Sequence, residues 1–243
     1  MRTPTPAAPL LSRIAQGRTD YIPILMYHYI REVTQDHDAL GFRLSVTPQR
    51  FEEQMAWLAA HNYTALPMRD VAACLRHALP CPQRAVAITF DDGYTDSVSE
   101  ALPVLERYNL LATFYIVSDF VGKPGYMGWD QIALLRDSQM EIGSHTASHA
   151  DLTGLTLEEA RAELVSSRAA IGARLGVDVV SFSYPAGHTT PELAALVHEL
   201  GYTSAVITRP GNDVSQLYEL PRRRVLGGET IDAFRWAVVP IPQ

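Results

Sequence analysis

The chain has 243 residues, 47% of them hydrophobic and 19% charged, with a formal net charge of −7. That composition is globular rather than disordered, and no run approaches the roughly 20 apolar residues that a membrane span requires. The acid excess argues against a nucleic-acid surface, which needs clustered Lys and Arg.

Residues 1–20 carry Pro, Ala and Thr but no apolar segment long enough for a signal peptide, and read as a poorly ordered extension ahead of one domain over 21–243. On that reading the chain is cytoplasmic, or an export segment has been removed. A strand is expected over 21–30, "YIPILMYHYI". Thr47 and Pro48 then open a helix with the apolar stripe Phe51, Met55 and Leu58, and a shorter helix covers 68–78. Cys74 and Cys81 lack metal or redox spacing; they either bridge a loop or stand as free thiols. The strand 85–90 is followed by a helix over 95–108, kinked near Pro103, and the strand 111–117 by a helix over 129–137 that Asp130 caps. After the strand 140–145, a capping box from Thr156 to Glu159 starts a helix that closes at Gly176. The strand 179–185, a helix from Thr190-Pro191 to Gly201, the strand 202–208 and a helix over 230–238 complete the chain. The basic triplet Arg222-Arg223-Arg224 reads as a solvated strand end or a local salt-bridge partner.

These strands are apolar without strict alternation, the pattern of strands covered on both faces of a parallel sheet. The alternation of β and α without repeats points to one α/β domain; seven or eight βα units suit a barrel better than an open sheet, although the period alone does not separate them, and a barrel places its chemistry on the loops after the strand C-termini. Two such strand ends carry chemical groups. "AVAITFDDGYTD" ends in the adjacent carboxylates Asp91 and Asp92, and "MEIGSH" runs into His145-Thr-Ala-Ser-His149. Adjacent carboxylates repel unless a cation or proton relieves them. Histidines spaced i, i+4 meet on one face of a helical turn, close enough to share a metal. One carboxylate with two imidazoles makes a three-ligand site with positions left open for water, and the second carboxylate can stand beside that water as a base. A glycosidase pair is a poor fit, because its carboxyls must flank a bond at roughly 5 to 9.5 Å.

"TFDDGY" at 89–94 and "HTASH" at 145–149, with "ILMYH" at 24–28 and "FSYPAG" at 182–187, resemble the polysaccharide deacetylases of carbohydrate esterase family 4, the NodB type. The likeness runs over about residues 21–238 and implies a distorted (β/α)7-type barrel. It implies Asp91 as general base and Asp92, His145 and His149 as ligands of a divalent metal, usually Zn2+, sometimes Co2+ or Ni2+. The family's Arg-x-Pro-Tyr motif reads Ser183-Tyr184-Pro185-Ala186 here. Ala186 keeps a backbone N–H for an oxyanion, but the base-orienting arginine must come from elsewhere, and Arg222 is the candidate. No Leu-x-His motif follows His198; Leu25-Met26-Tyr27-His28 matches the subgroup of poly-N-acetylglucosamine deacetylases, with His28 as general acid. Trp129, Tyr94 and Tyr126 are candidates to line a sugar site, whereas His37, His61, His77, His188 and His198 read as surface or packing residues.

The implied activity is removal of N-acetyl groups from a chitin-like, peptidoglycan or poly-N-acetylglucosamine chain, with an extracellular or envelope location. The alternatives are an O-acetyl esterase acting on glycans such as xylan, a non-heme iron oxygenase built on the same ligand set, and a non-catalytic carbohydrate-binding relative. The glycan, the native metal and the oligomeric state are not written in the sequence.

Overall fold

The computed structural model describes residues 22–211 and 213–238, so the expected N-terminal extension lies outside the described residues. The elements in chain order are β1 (Ile24–Tyr27), β2 (Tyr29–Ile30), α1 (Ala39–Leu44), β3 (Ser45–Val46), α2 (Pro48–Ala60), β4 (Thr64–Ala65), α3 (Met68–Leu75) and β5 (Ala85–Phe90). Then follow α4 (Leu102–Arg107), β6 (Thr113–Ile116), α5 (Trp129–Asp137), β7 (Glu141–Ser144), α6 (Leu157–Leu175), β8 (Ser181–Ser183), α7 (Pro191–Glu199), β9 (Ser204–Val206), β10 (Arg223–Arg224) and α8 (Ile231–Val238).

The main sheet runs β10-β1-β5-β6-β7-β8-β9 with every pairing parallel, and β4 pairs with the first residues of β5. Its edges meet through one short segment. Leu220 exchanges backbone hydrogen bonds with Ala205 and Ile207 beside β9, and three residues later Arg223 pairs with Leu25 of β1. The expected distorted barrel is thereby formed.

Alternation along the strands sends one side chain inward and the next outward. The outward set packs under the helices as the larger apolar cluster, with Phe51, Met55 and Leu58 of α2 among its members. Inside, Ile22, Ile24, Ala85, Ala87, Tyr115, Val206 and Leu220 pack against Met68, Val71 and Cys74 of α3. Helix α3 thus stoppers the N-terminal end of the barrel. Its first N–H groups are met there: Met68 donates to Thr113 Oγ1 at 2.9 Å, and Arg69 donates to the buried Glu141 carboxylate at 2.7 Å. Ser181 Oγ holds the other oxygen of Glu141 at 2.6 Å, so one carboxylate joins α3, β7 and β8. Burial pushes the Glu141 pKa up despite these donors. Cys74 and Cys81, at the end of α3 and in the loop beyond it, are disulfide-bonded, which decides between the two sequence alternatives.

The helix ends follow the expected chemistry. Thr156 Oγ1 accepts from Glu159 N while the Glu159 carboxylate accepts from Thr156 N, and Gly176 ends α6 at φ 65°. Elsewhere the chain differs from the sequence reading. The expected strand 21–30 breaks at His28 into β1 and β2. The helix expected over 95–108, by contrast, is present: a π-type segment over Ser97–Ala101 runs straight into α4, and this irregularity lies just ahead of Pro103, where the kink was expected. Helix α5 is capped by Gly128, whose N–H donates to Gln131 Oε1 at 3.0 Å; Asp130 lies in the first turn rather than at the cap.

Candidate active site

The C-terminal rim of the barrel gathers the groups singled out by sequence. Asp91 and Asp92 follow β5, and Asp91 N–H is held by the Tyr27 carbonyl at 3.1 Å. Asp91 continues the inward alternation of Thr89. Asp92 swings aside because its backbone is left-handed, at φ 75°. That conformation costs a non-glycine residue about 1–3 kcal/mol and persists only where the surroundings over-determine it.

His145 follows β7 and is buried, at 2% exposure. Its Nδ1 lies 2.7 Å from the Ser183 carbonyl oxygen, to which it donates, so the neutral ring turns the lone pair of Nε2 toward Asp92. His149 reaches the same point by a loop, not by the helical turn expected from its i, i+4 spacing: Thr146 and His149 both stand at φ 65°. Nε2 of each ring lies 3.3 Å from Asp92 Oδ1, and candidate ligand atoms of the three residues lie within 4.8 Å of one another. Asp92 Oδ1 is buried with no hydrogen-bond donor. Three electron-pair donors facing one another across an undonated oxygen suit a divalent cation. Burial pushes the Asp92 carboxyl up, yet its two histidine partners hold it well below the ordinary carboxylate range. Burial lowers His145, but the Asp91 and Asp92 charges outweigh it and the net shift is upward.

Arg222, the candidate to orient the base, is paired with Asp91, so of the two readings of the basic triplet the salt-bridge partner holds at this residue. It is not a solvated strand end but fully buried, at 0% exposure. Its guanidinium grips Asp91 with both arms, Nη1 to Oδ1 at 2.7 Å and Nη2 to Oδ2 at 2.6 Å. The remaining donors are taken by Ile207 O, Thr89 Oγ1 and Ser183 Oγ at 3.2, 3.1 and 3.0 Å. Ser183, where the motif has arginine, leaves room for this guanidinium and caps it. Burial raises the Asp91 pKa, but Arg222 and then His145 pull it down further, leaving it below the ordinary value.

His28 stands level with Asp91, one residue beyond the Tyr27–Phe90 pair that joins β1 to β5. Burial lowers its pKa against the opposing charges of Asp91 and Asp92. Ala186, exposed in a turn after β8, is left-handed at φ 57°. Tyr94 stacks between Tyr29 and Tyr126, with ring centroids at 3.7 and 5.0 Å, and Phe120 continues the row toward His149. Trp129 packs half-buried against the apolar core with Arg174 over its ring.

The polysaccharide deacetylase family profile matches residues 79–205, a little over half of the chain. The chain belongs to the polysaccharide deacetylase family. This deacetylase is 31% identical to YxkH of Bacillus subtilis over 215 residues, which cover 88% of the chain and 74% of YxkH. It is 22% identical to the poly-β-1,6-N-acetyl-D-glucosamine N-deacetylase of Escherichia coli, over 96% of the chain but 44% of that protein. In fold it matches the Streptococcus pyogenes deacetylase PplD, solved in complex with acetate, at a TM-score of 0.85, with 24% identity and coverage of 90% of this chain and 99% of that one.

Sequence reasoning missed one group that shapes the deacetylase's site. The Glu163 carboxylate, from α6, accepts from Ala147 N at 2.9 Å and from Ser148 N and Oγ, both at 2.8 Å. It thereby fixes the loop between the two histidines. On a charged helix face Glu163 reads as a solvated residue, and nothing local in the sequence distinguishes it from Glu158. Among the described residues no helix is long and apolar enough to cross a membrane.

Proposed function

We propose that this chain is a metal-dependent hydrolase that removes N-acetyl groups from an N-acetylated polysaccharide or oligosaccharide. The observation that carries the reading is the undonated Asp92 Oδ1, 3.3 Å from both imidazoles, beside a separately buried and charge-paired Asp91. Asp92, His145 and His149 are the proposed ligands. A divalent cation held there supplies Lewis acidity, polarising the acetyl carbonyl and making the attacking water more acidic. Zn2+ suits the nitrogen and oxygen donors, as do Co2+ and Ni2+.

Asp91 takes the proton of that water. Its depressed pKa keeps it ionised, and the bidentate grip of Arg222 fixes its orientation. The Ala186 N–H is the proposed donor to the oxyanion. His28 returns a proton to the departing amine, which leaves far more readily as an amine than as an amide anion. The neighbouring Tyr94 and Tyr126 rings offer an apolar wall against which a sugar can stack.

Relatives named for poly-β-1,6-N-acetyl-D-glucosamine deacetylation in Escherichia coli and Staphylococcus support an N-acetylated glycan as substrate, and with it an envelope or extracellular place of action. The test is acetate release from N-acetylglucosamine oligomers and from acetylated xylan, with chelator and then with each added metal. Chelator-sensitive release from the amide substrates is expected. Release from the ester alone would make the protein an O-acetyl esterase, and release insensitive to chelator would remove the metal from the reading.

A further inference from the structure

Arg224 lies two residues beyond Arg222 on the strand that closes the barrel, so it emerges on the same inward side, one layer nearer the mouth and opposite Met26. Unlike Arg222 it is exposed. Its charge is felt at His28, and it is itself acted on by the like charges of Arg222 and Arg43 and the opposite charges of Asp91 and Asp92. Arg43 is brought there by a close backbone approach. Gly227 N donates to Arg43 O at 3.3 Å, and a Cβ on Gly227 would stand 1.8 Å from the Phe42 carbonyl oxygen, so only glycine lets α1 lie against this segment. Among the described residues neither Arg43 nor Arg224 has a carboxylate in salt-bridge contact. Asp91 is already neutralised by Arg222, and Asp92 faces the place proposed for the cation. The Arg224 and Arg43 charges therefore lie near enough at the rim to act on each other, neither in salt-bridge contact with a carboxylate among the described residues, a field that favours an incoming anion.

Building on the deacetylase reading above, we propose that Arg224 and Arg43 form an anion-binding subsite at the mouth of the barrel, and that the preferred glycan carries a carboxylate or phosphate next to the acetylated sugar. The planar guanidinium fork matches either group in two-point contact.

The experiment compares metal-loaded wild type, Arg224→Ala and Arg224→Lys on three soluble N-acetylglucosamine oligomers of equal length: one neutral, one with carboxylate ethers on alternate sugars, one with phosphodiester substituents. The wild type should favour at least one anionic oligomer by about 10-fold in kcat/KM, expressed in KM and weakened by salt. Arg224→Ala should erase that preference, read as the ratio of anionic to neutral KM, and Arg224→Lys should keep part of it. The difference between the two anionic oligomers identifies the group recognised. Equal wild-type rates on all three, or an equal loss on all three in Arg224→Ala, would overturn the subsite. Should no oligomer release acetate, the deacetylase reading fails by itself, and calorimetric binding of the same oligomers decides the subsite: anion-selective binding lost in Arg224→Ala supports it, and charge-blind or absent binding overturns it.

Discussion

Arg222 and Asp91, separated by 131 positions in the chain, form a buried two-armed ion pair with oxygen–nitrogen distances of 2.7 and 2.6 Å. Removing the cation strands a buried carboxylate, which costs about 3–5 kcal/mol and raises its pKa. Arg222→Met should therefore lower the melting temperature and reduce kcat by at least about 100-fold. In whatever activity remains, the acid limb of the pH–rate profile should move to higher pH, because Asp91 must be ionised to act and has lost the charge that kept it so. An unmoved acid limb would show that Arg222 does not set the ionisation of the base.

Asp91 and Asp92 are adjacent but should fail differently. Asp91→Asn should lose about 10²–10⁴-fold in turnover and still bind one equivalent of metal. Asp92→Ala, His145→Ala and His149→Ala should lose metal and turnover together. Metal content by mass spectrometry alongside acetate release separates the two cases, and an active Asp91→Asn protein would overturn the assignment of the base.

Glu163 touches none of the proposed ligands, yet three hydrogen bonds tie it to the residues between His145 and His149. Glu163→Ala should weaken metal affinity by about 10–100-fold, as loss of an outer-shell partner does. Saturating metal should restore most of kcat. A variant that stays inactive at saturating metal while properly folded would mean that the loop does more than hold a ligand.

His28 should matter in proportion to how badly the leaving group needs a proton. His28→Ala should cost at least about 100-fold on an N-acetyl substrate but under about 10-fold on an activated acetyl ester such as 4-nitrophenyl acetate. Equal losses on both would remove His28 from the role of acid.

Asp96 accepts from Ile30 N at 3.0 Å, while its second oxygen is buried without a donor. Burial raises its pKa to about 6. The folded state thus binds this proton more tightly than the unfolded chain, so stability is greatest below the ordinary carboxylate value and falls as pH rises toward about 6. Asp96→Asn should raise the urea midpoint at pH 7, by about 1–2 kcal/mol in stability, with the gap closing near pH 4. A variant less stable than wild type at pH 7 would reverse that sign.

The four groups at the strand ends were legible because each lies within a few residues of the strand that presents it. Of their partners, Arg222 was named only through the family resemblance, and Glu163 was not named at all. Arg222 immediately precedes a two-residue strand made of arginines, where neither apolar content nor alternation marks a strand. The spacing of His145 and His149 suggested a helix because spacing carries no information about φ, and the left-handed Thr146 and His149 are held by Thr146 Oγ1 and Glu163 instead. The α/β class followed from the β/α alternation, and the barrel from the family resemblance. Its closure through Leu220 and Arg223 depends on pairing between distant segments that no local pattern announces.

Helix α3, wedged under the strands by Met68, Val71 and Cys74, gives the barrel a floor at its N-terminal end. With that end filled, a glycan of the proposed kind would meet Asp92 from the opposite rim, lying over the opening with one side group dipped into it. On that reading no chain end would be needed to begin work, and the sugars on either side would rest on the outer edge, where rings and charges could choose them.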